Sequence, residues 1–358
     1  MNIVIFIIVL LVVVIVHEYG HFFAAKKTGM GVSEFAFGFP PRLFGFKYKG
    51  TQYSINLIPL GGYVMIDGQD GVEDENDPNV DHTKKFHNKS RLAQIWVLFA
   101  GPLMNIVLAF VLIFISYLGV SKIDPVLNPE IVIMDVIKNS PAEIAGIKTG
   151  DKIESIYVKG DIDPTDNPSL ELFVDSVNRS NGDEIFLDIK RNNQEKTIQI
   201  KPEKTNDGYK MGISLGVLSS KKLPFSQALK AGFVDTFQIT KQTIVAFGQM
   251  FSKLFSGHSV KDSLMGPVGM AKQVGTVAGF GFNYLLVFTA VISINLGVLN
   301  LLPFPALDGG RIVVTVIEAI RRKSFSKKII GIIHTIGFFI LIGLLILITI
   351  FDVIKLFK

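Results

Sequence analysis

The 358-residue chain contains no cysteine. Disulfides and thiolate ligands are thereby excluded, and any metal must be held by histidine, aspartate or glutamate. Also absent is a basic stripe with interleaved aromatics outside the flanks of the apolar runs. The net charge of +5 and the pI near 9.1 therefore read as membrane topology and not as nucleic-acid binding. The first apolar run has no basic start, and a leader destined for removal would have no reason to carry His17, Glu18 and His21.

What the chain does have is bunched hydrophobicity. A hydrophobic fraction of 49% and a mean hydropathy of +0.42 come from uninterrupted runs of about 20 residues or more, the length that spans a bilayer. They are Asn2–Ala25, closed by Lys26-Lys27, then Leu92–Val120, Tyr284–Leu302 and Ile329–Phe351. Each predicts a transmembrane helix.

The first of these helices carries His17-Glu18-Tyr19-Gly20-His21. Positions four apart lie nearly one above the other on a helix, so both imidazoles can grip one metal while Glu18 stands beside them as general base. Ionisable groups at the centre of a membrane helix cost roughly 2.5 kcal/mol or more each, and a metal ion is the obvious compensation. From the rise per residue the motif lies within about two turns of Lys26-Lys27, inside the bilayer and nearer that end.

Between the first two runs, Glu34–Ile66 is aromatic and rich in glycine and proline. Its runs Arg42–Tyr48 and Gln52–Ile58, around a turn at Lys49-Gly50, predict a β-hairpin, either dipping into the membrane or lying at its interface. Asp67–Asp81 reads as a short, solvated acidic loop. In the second run, Asn105 sits at membrane depth after Gly101-Pro102; an interhelical hydrogen bond and a place at the active site are both open to it. Asp124–Glu203 is soluble in composition, with strand-like runs Ile131–Ile137 and Glu184–Ile189. Within it, Ser140-Pro141-Ala142-Glu143-Ile144-Ala145-Gly146-Ile147-Lys148-Thr149-Gly150-Asp151 resembles a bacterial PDZ domain, a fold that takes a peptide as an added strand. A PDZ-like module serving only as plug or spacer is the alternative.

Phe225–Phe255 has apolar residues at helical spacing with lysines among them, which predicts amphipathic helices on the membrane surface. The third run ends in Asn300-Leu301-Leu302-Pro303-Phe304-Pro305-Ala306-Leu307-Asp308-Gly309-Gly310. Two close prolines cannot continue a helix, and irregular backbone at a membrane end must face protein or a water-filled cavity. Asp308, past the kink, can turn inward. His334 in the last run has no histidine or carboxylate three or four positions away and reads as a packed or interfacial histidine.

Together these motifs, with Gly266-Pro267-Val268-Gly269, resemble the site-2 protease family over nearly the whole chain, and most of all its bacterial intramembrane metalloproteases that cleave anti-sigma factors. The resemblance implies a zinc protease in which His17, His21 and Asp308 are the ligands and Glu18 the base. It implies too that the hairpin is membrane-reentrant and that Asn300, Pro303 and Pro305 handle substrate; for an unwound substrate segment, Asn300 or Asn105 is expected to hold a carbonyl. The fold class that follows is an α-helical multi-pass membrane protein of about four transmembrane helices, with a reentrant β-hairpin and an inserted α+β PDZ-like domain. Its segments are 1–120 (two membrane helices and hairpin), 121–205 (PDZ-like), 206–282 (membrane-surface helices) and 283–358 (two further membrane helices). Expected partners are the lipid bilayer, single-pass membrane substrates such as anti-sigma factors and signal-peptide remnants, and a peptide for the PDZ-like domain; nucleic acid is not among them.

Basic residues crowd the loops between the first two runs and between the last two. Both loops are then cytoplasmic, which puts the metal near the cytoplasmic face of the inner membrane and the PDZ-like domain on the opposite side. A membrane-anchored PDZ adaptor without proteolytic activity is the alternative function, disfavoured because every ligand and base position is filled. A metal transporter would need polar residues along several helices, and polar residues occur only at the motifs.

Overall fold

The computed structural model describes residues 2–69, 82–119, 130–160, 163–191, 194–205, 208–218, 223–256 and 266–357. The acidic loop expected at Asp67–Asp81 lies outside these residues from Asp70 onward. Four helices are long and apolar enough to cross a membrane: α1 (Asn2–Lys27), α2 (Arg91–Tyr117), α7 (Phe282–Asn300) and α9 (Lys327–Phe357). The first three pack together, and small residues set their spacing. Gly20 of α1 lies against the Ala100 carbonyl of α2, and Gly297 of α7 lies against the Pro102 carbonyl; a side chain at either place would collide with backbone.

Between α1 and α2 the chain forms strands β1 (Val32–Tyr48) and β2 (Thr51–Ile66), joined at Lys49-Gly50. Each strand bends and pairs twice. Phe35 faces both Tyr53 and Val64, Ala36 faces both Ser54 and Tyr63, and Phe44–Phe46 returns along Tyr53–Ile55. The result is a four-segment sheet in the order 42–48, 51–58, 32–39, 61–66. Bends at Gly38 (φ +76°) and Gly61 (φ +113°) use a conformation that L side chains avoid. Among the described residues its edges are 42–48 and 61–66.

After α2 comes an α+β domain. Its strands are β3 (Glu130–Val136), β4 (Lys152–Val158), β5 (Thr165–Asp166), β6 (Ile185–Arg191), β7 (Gln194–Ile200), a small hairpin of β8 (Glu203–Thr205) and β9 (Gly208–Lys210), and β10 (Ile213–Leu218); its helices are α3 (Pro141–Ile144) and α4 (Leu170–Arg179). The sheet runs β10-β3-β4-β6-β7 with β5 beside β4. Leu187 and Ile189, alternate residues of β6, and Ile153 and Ile156 of β4, on either side of a register shift, form a core closed by Phe173 and Val177 of α4. A boundary at 205 would split this sheet, because β10 pairs along the whole of β3.

The stretch 206–282 is therefore not all surface helix. Helix α5 (Phe225–Phe255) is one continuous helix whose buried Ala228, Gly232 and Thr236 recur every fourth residue. Gly232 rests on Phe114 near the end of α2, while Thr243 donates to Asn295 well along α7. The helix packs along α2 and α7, where small residues on one face let it approach closely. Helix α6 (Pro267–Phe280) starts at the Gly-Pro break, with its Gly269 N–H donating to Asp352 of α9, and packs on Phe6, Val9 and Val13 of α1. Helix α8 (Asp308–Arg321) begins at Asp308 itself.

Candidate metal centre and cleft

His17 and His21 are buried on α1, their rings 4.8 Å apart, with both Nε2 atoms turned to the same point. Asp308 Oδ2 completes the group, 3.2 Å from His17 Nε2 and 3.3 Å from His21 Nε2, while the two Nε2 atoms are 3.2 Å apart. A tetrahedral zinc bonded at about 2.0 Å needs donor atoms about 3.3 Å apart. Two imidazole nitrogens and a carboxylate oxygen at those separations fit zinc by chemistry and by spacing. Among the described residues this is the one such group of histidines and carboxylates.

The aim of Asp308 follows from the backbone around it. After Asn300 the chain turns through Pro303 and Pro305, and the first turn of α8 packs onto that turn so tightly that Gly309 meets the Leu301 carbonyl and Gly310 the Phe304 carbonyl. Any side chain at those glycines would push Asp308 away from the histidines.

Helix α2 holds the imidazoles from behind. The Val97 carbonyl accepts from His21 Nδ1 at 2.8 Å, which leaves Nε2 as the free lone pair. The His21 ring lies on Gly101, where a Cβ would overlap it. Asn105, fully buried, stands 3.2 Å from His17 Nδ1.

A cavity of about 310 Å³ opens in front of the three ligand candidates. Glu18 lines it, and its Oε2 accepts from the Val64 N–H at 3.1 Å. Its walls are otherwise mostly apolar (Val14, Val64, Leu296, Leu307), with Gln69 and Asn300 as polar exceptions. Asn300 Nδ2 is 3.4 Å from His17 Nε2. Of the substrate candidates, Asn300 lies in the cavity; Pro303, Pro305, Asn105 and also His334 are not among its described lining residues. Pro305 instead packs against Gly337 of α9.

The sheet of β1 and β2 reaches this cavity through its 61–66 edge, held in place by a single carboxylate. Glu34 accepts from Arg42 Nη2 at 2.8 Å, from Tyr63 Oη at 3.0 Å and from Ser54 Oγ, touching one residue on each of the other three segments. Burial pushes its pKa up, but those hydrogen bonds and the Arg42 charge outweigh it and hold the carboxyl below the usual range. Val64, Gln69 and Val97 are not identifiable from sequence, as nothing local marks a backbone amide or carbonyl as part of a site; Gly101 belongs to a motif of the second run, but the motif does not say that it lies against His21.

The sequence profile of peptidase family M50 matches residues 5–344. A Clostridium perfringens protein named as a zinc metalloprotease is 36% identical over 344 residues, covering 95% of each chain. Another from Clostridium acetobutylicum is 36% identical, over 99% of this chain and 97% of its own. Zinc metalloprotease RasP of Geobacillus kaustophilus is 30% identical, over 99% of this chain and 98% of its own.

Proposed function

Because the chain belongs to peptidase family M50, and so is a membrane zinc metalloendopeptidase of the site-2 type, we propose that His17, His21 and Asp308 hold its zinc and Glu18 is its general base. The observation that carries this reading is the convergence of three donor atoms at 3.2 to 3.3 Å, with Glu18 in the same cavity. When bound, zinc polarises the scissile carbonyl and lowers the pKa of a bound water to about 7. Glu18 takes the proton of that water and passes it to the leaving nitrogen. The Val64 N–H steadies Glu18, and Asn300 holds a substrate carbonyl beside His17. Pro303 and Pro305 act on substrate indirectly, by shaping the turn that presents Ala306, Leu307 and Asp308.

Substrates are segments of membrane proteins, and the reading extends to single-pass proteins of anti-sigma-factor type and to signal-peptide remnants. In a helix each carbonyl is tied to an amide four residues on, so the scissile stretch must unwind before Glu18 can reach it. The sheet of β1 and β2, dipping into the membrane, replaces the lost bonds by pairing with the extended segment along its 61–66 edge. The α+β domain acts as a PDZ-like filter on the far side of the inner membrane, with the metal near the cytoplasmic face. Purified protein incubated with a single-helix membrane peptide tests the activity. Cleavage should stop on chelation and return with zinc, and peptide left uncut with zinc present would sink the reading.

A further inference from the structure

Asn105 is part of the second run's motif, yet it is absent from the described lining of the cavity. It is fully buried, its backbone carbonyl accepts from the buried Ser293 Oγ at 2.8 Å, and Gly297 of α7 leaves the room it occupies. Its carboxamide meets His17 at Nδ1, 3.2 Å away, while its Oδ1 has no hydrogen-bond partner among the described residues. All other polar contacts of the His17 ring, to His21, Asp308 and Asn300, are at Nε2.

A neutral imidazole carries one proton, so a ring whose Nε2 offers a lone pair must carry that proton on Nδ1. Nδ1 is then a donor, and a second donor facing it would be repelled. The two ends of a carboxamide have the same shape, and exchanging them brings the acceptor Oδ1 to Nδ1–H. Helix α2 already gives His21 an acceptor in the same way, through the Val97 carbonyl.

We propose that Asn105 is a positioning residue that accepts the Nδ1 proton of His17, fixing the tautomer and ring orientation in which Nε2 binds the metal. This rests on the reading of His17 as a ligand. It assigns Asn105 to the imidazole and not to substrate, so that α2 supplies both outer partners of the two histidines.

The test is zinc release from detergent-solubilised protein to a chromophoric chelator, for wild type, Asn105→Leu, Asn105→Asp and His17→Ala, with thermal unfolding of each metal-free form. Leucine keeps the volume and removes the acceptor; aspartate keeps the acceptor. Asn105→Leu should bind zinc about 10- to 100-fold more weakly, Asn105→Asp should stay within a few-fold of wild type, and the metal-free forms of both should unfold near the wild-type temperature. Wild-type zinc affinity in Asn105→Leu would overturn the proposal, as would equal losses in both variants. Loss of zinc in His17→Ala alone would leave the ligand reading standing without it, whereas zinc retained in His17→Ala would remove both.

Discussion

The backbone N–H of Val64 donates to Oε2 of Glu18 at 3.1 Å, joining the 61–66 edge of the β1–β2 sheet to the proposed general base. A strand added to that edge would run past Glu18 and the three ligand candidates, because the same edge forms one wall of their cavity.

Edge pairing makes a prediction about the substrate backbone. Replacing single amides of a membrane peptide by esters, one position at a time around the cut, removes N–H donors without changing side chains. Each donor used in the ladder should cost about 0.5–1.5 kcal/mol, or roughly 2- to 12-fold in kcat/KM. An alternating pattern, every second ester being harmful, is expected from a strand. A flat profile across all positions would remove strand addition from the mechanism.

The roles at the metal separate by substitution. Glu18→Gln keeps the side chain's shape and an oxygen for the Val64 amide but removes the base, so turnover should fall by a factor of about 10² to 10⁴ with zinc still bound. Asp308→Ala should lose zinc as well as turnover. Metal analysis of the two purified variants decides it: zinc missing from the first, or held at full affinity by the second, would contradict the assignment.

Much of this site is legible in the sequence because its first elements are local. His17, Glu18 and His21 share one turn and a half of helix, and their spacing alone places them together. Asp308 needed the family resemblance, since nothing in its spacing from His17 says that a chain turning through Pro303 and Pro305 returns to the same point. The double pairing of Phe35 and Ala36 was hidden for a similar reason: a run of alternating residues reports a strand but not how many neighbours it has. In helix α5 the lysines mark a polar face, whereas Ala228, Gly232 and Thr236 at every fourth position carry the packing signal.

Gly101 offers a test of how closely α2 must approach the metal ligands. A Cβ at this position would overlap the His21 ring, which is also held by the Val97 carbonyl at 2.8 Å. Gly101→Ala should insert into membranes normally, since alanine favours the helix, yet bind zinc at least tenfold more weakly as His21 is displaced. Unchanged zinc affinity, measured by chelator competition, would show that the ring has room to move.

The proposed orientation rests on the basic loops and can be read with cysteines, because the native chain has none to interfere. Lys323, in the turn after α8, and Lys196, on β7, are both exposed. In intact cells a cysteine at position 323 should resist an impermeant thiol reagent and one at 196 should react. The opposite pattern would place the metal near the outer face.

The α+β domain carries none of the ligand or base candidates, and Gly150 touches it down on Phe280, where α6 hands over to α7. A folded body there can obstruct substrates whose outer portion is bulky without entering the chemistry. Because β10 closes the sheet against β3, a deletion meant to remove the domain cleanly must run to Leu218 and not stop near 205. Replacing 124–218 by a flexible join should leave bound zinc and the cleavage of short-tailed membrane peptides at wild-type levels. Long-tailed peptides that the intact protein spares should then be cut. If the shortened protein binds zinc and cuts short peptides but still spares the long ones, the domain is not the size filter.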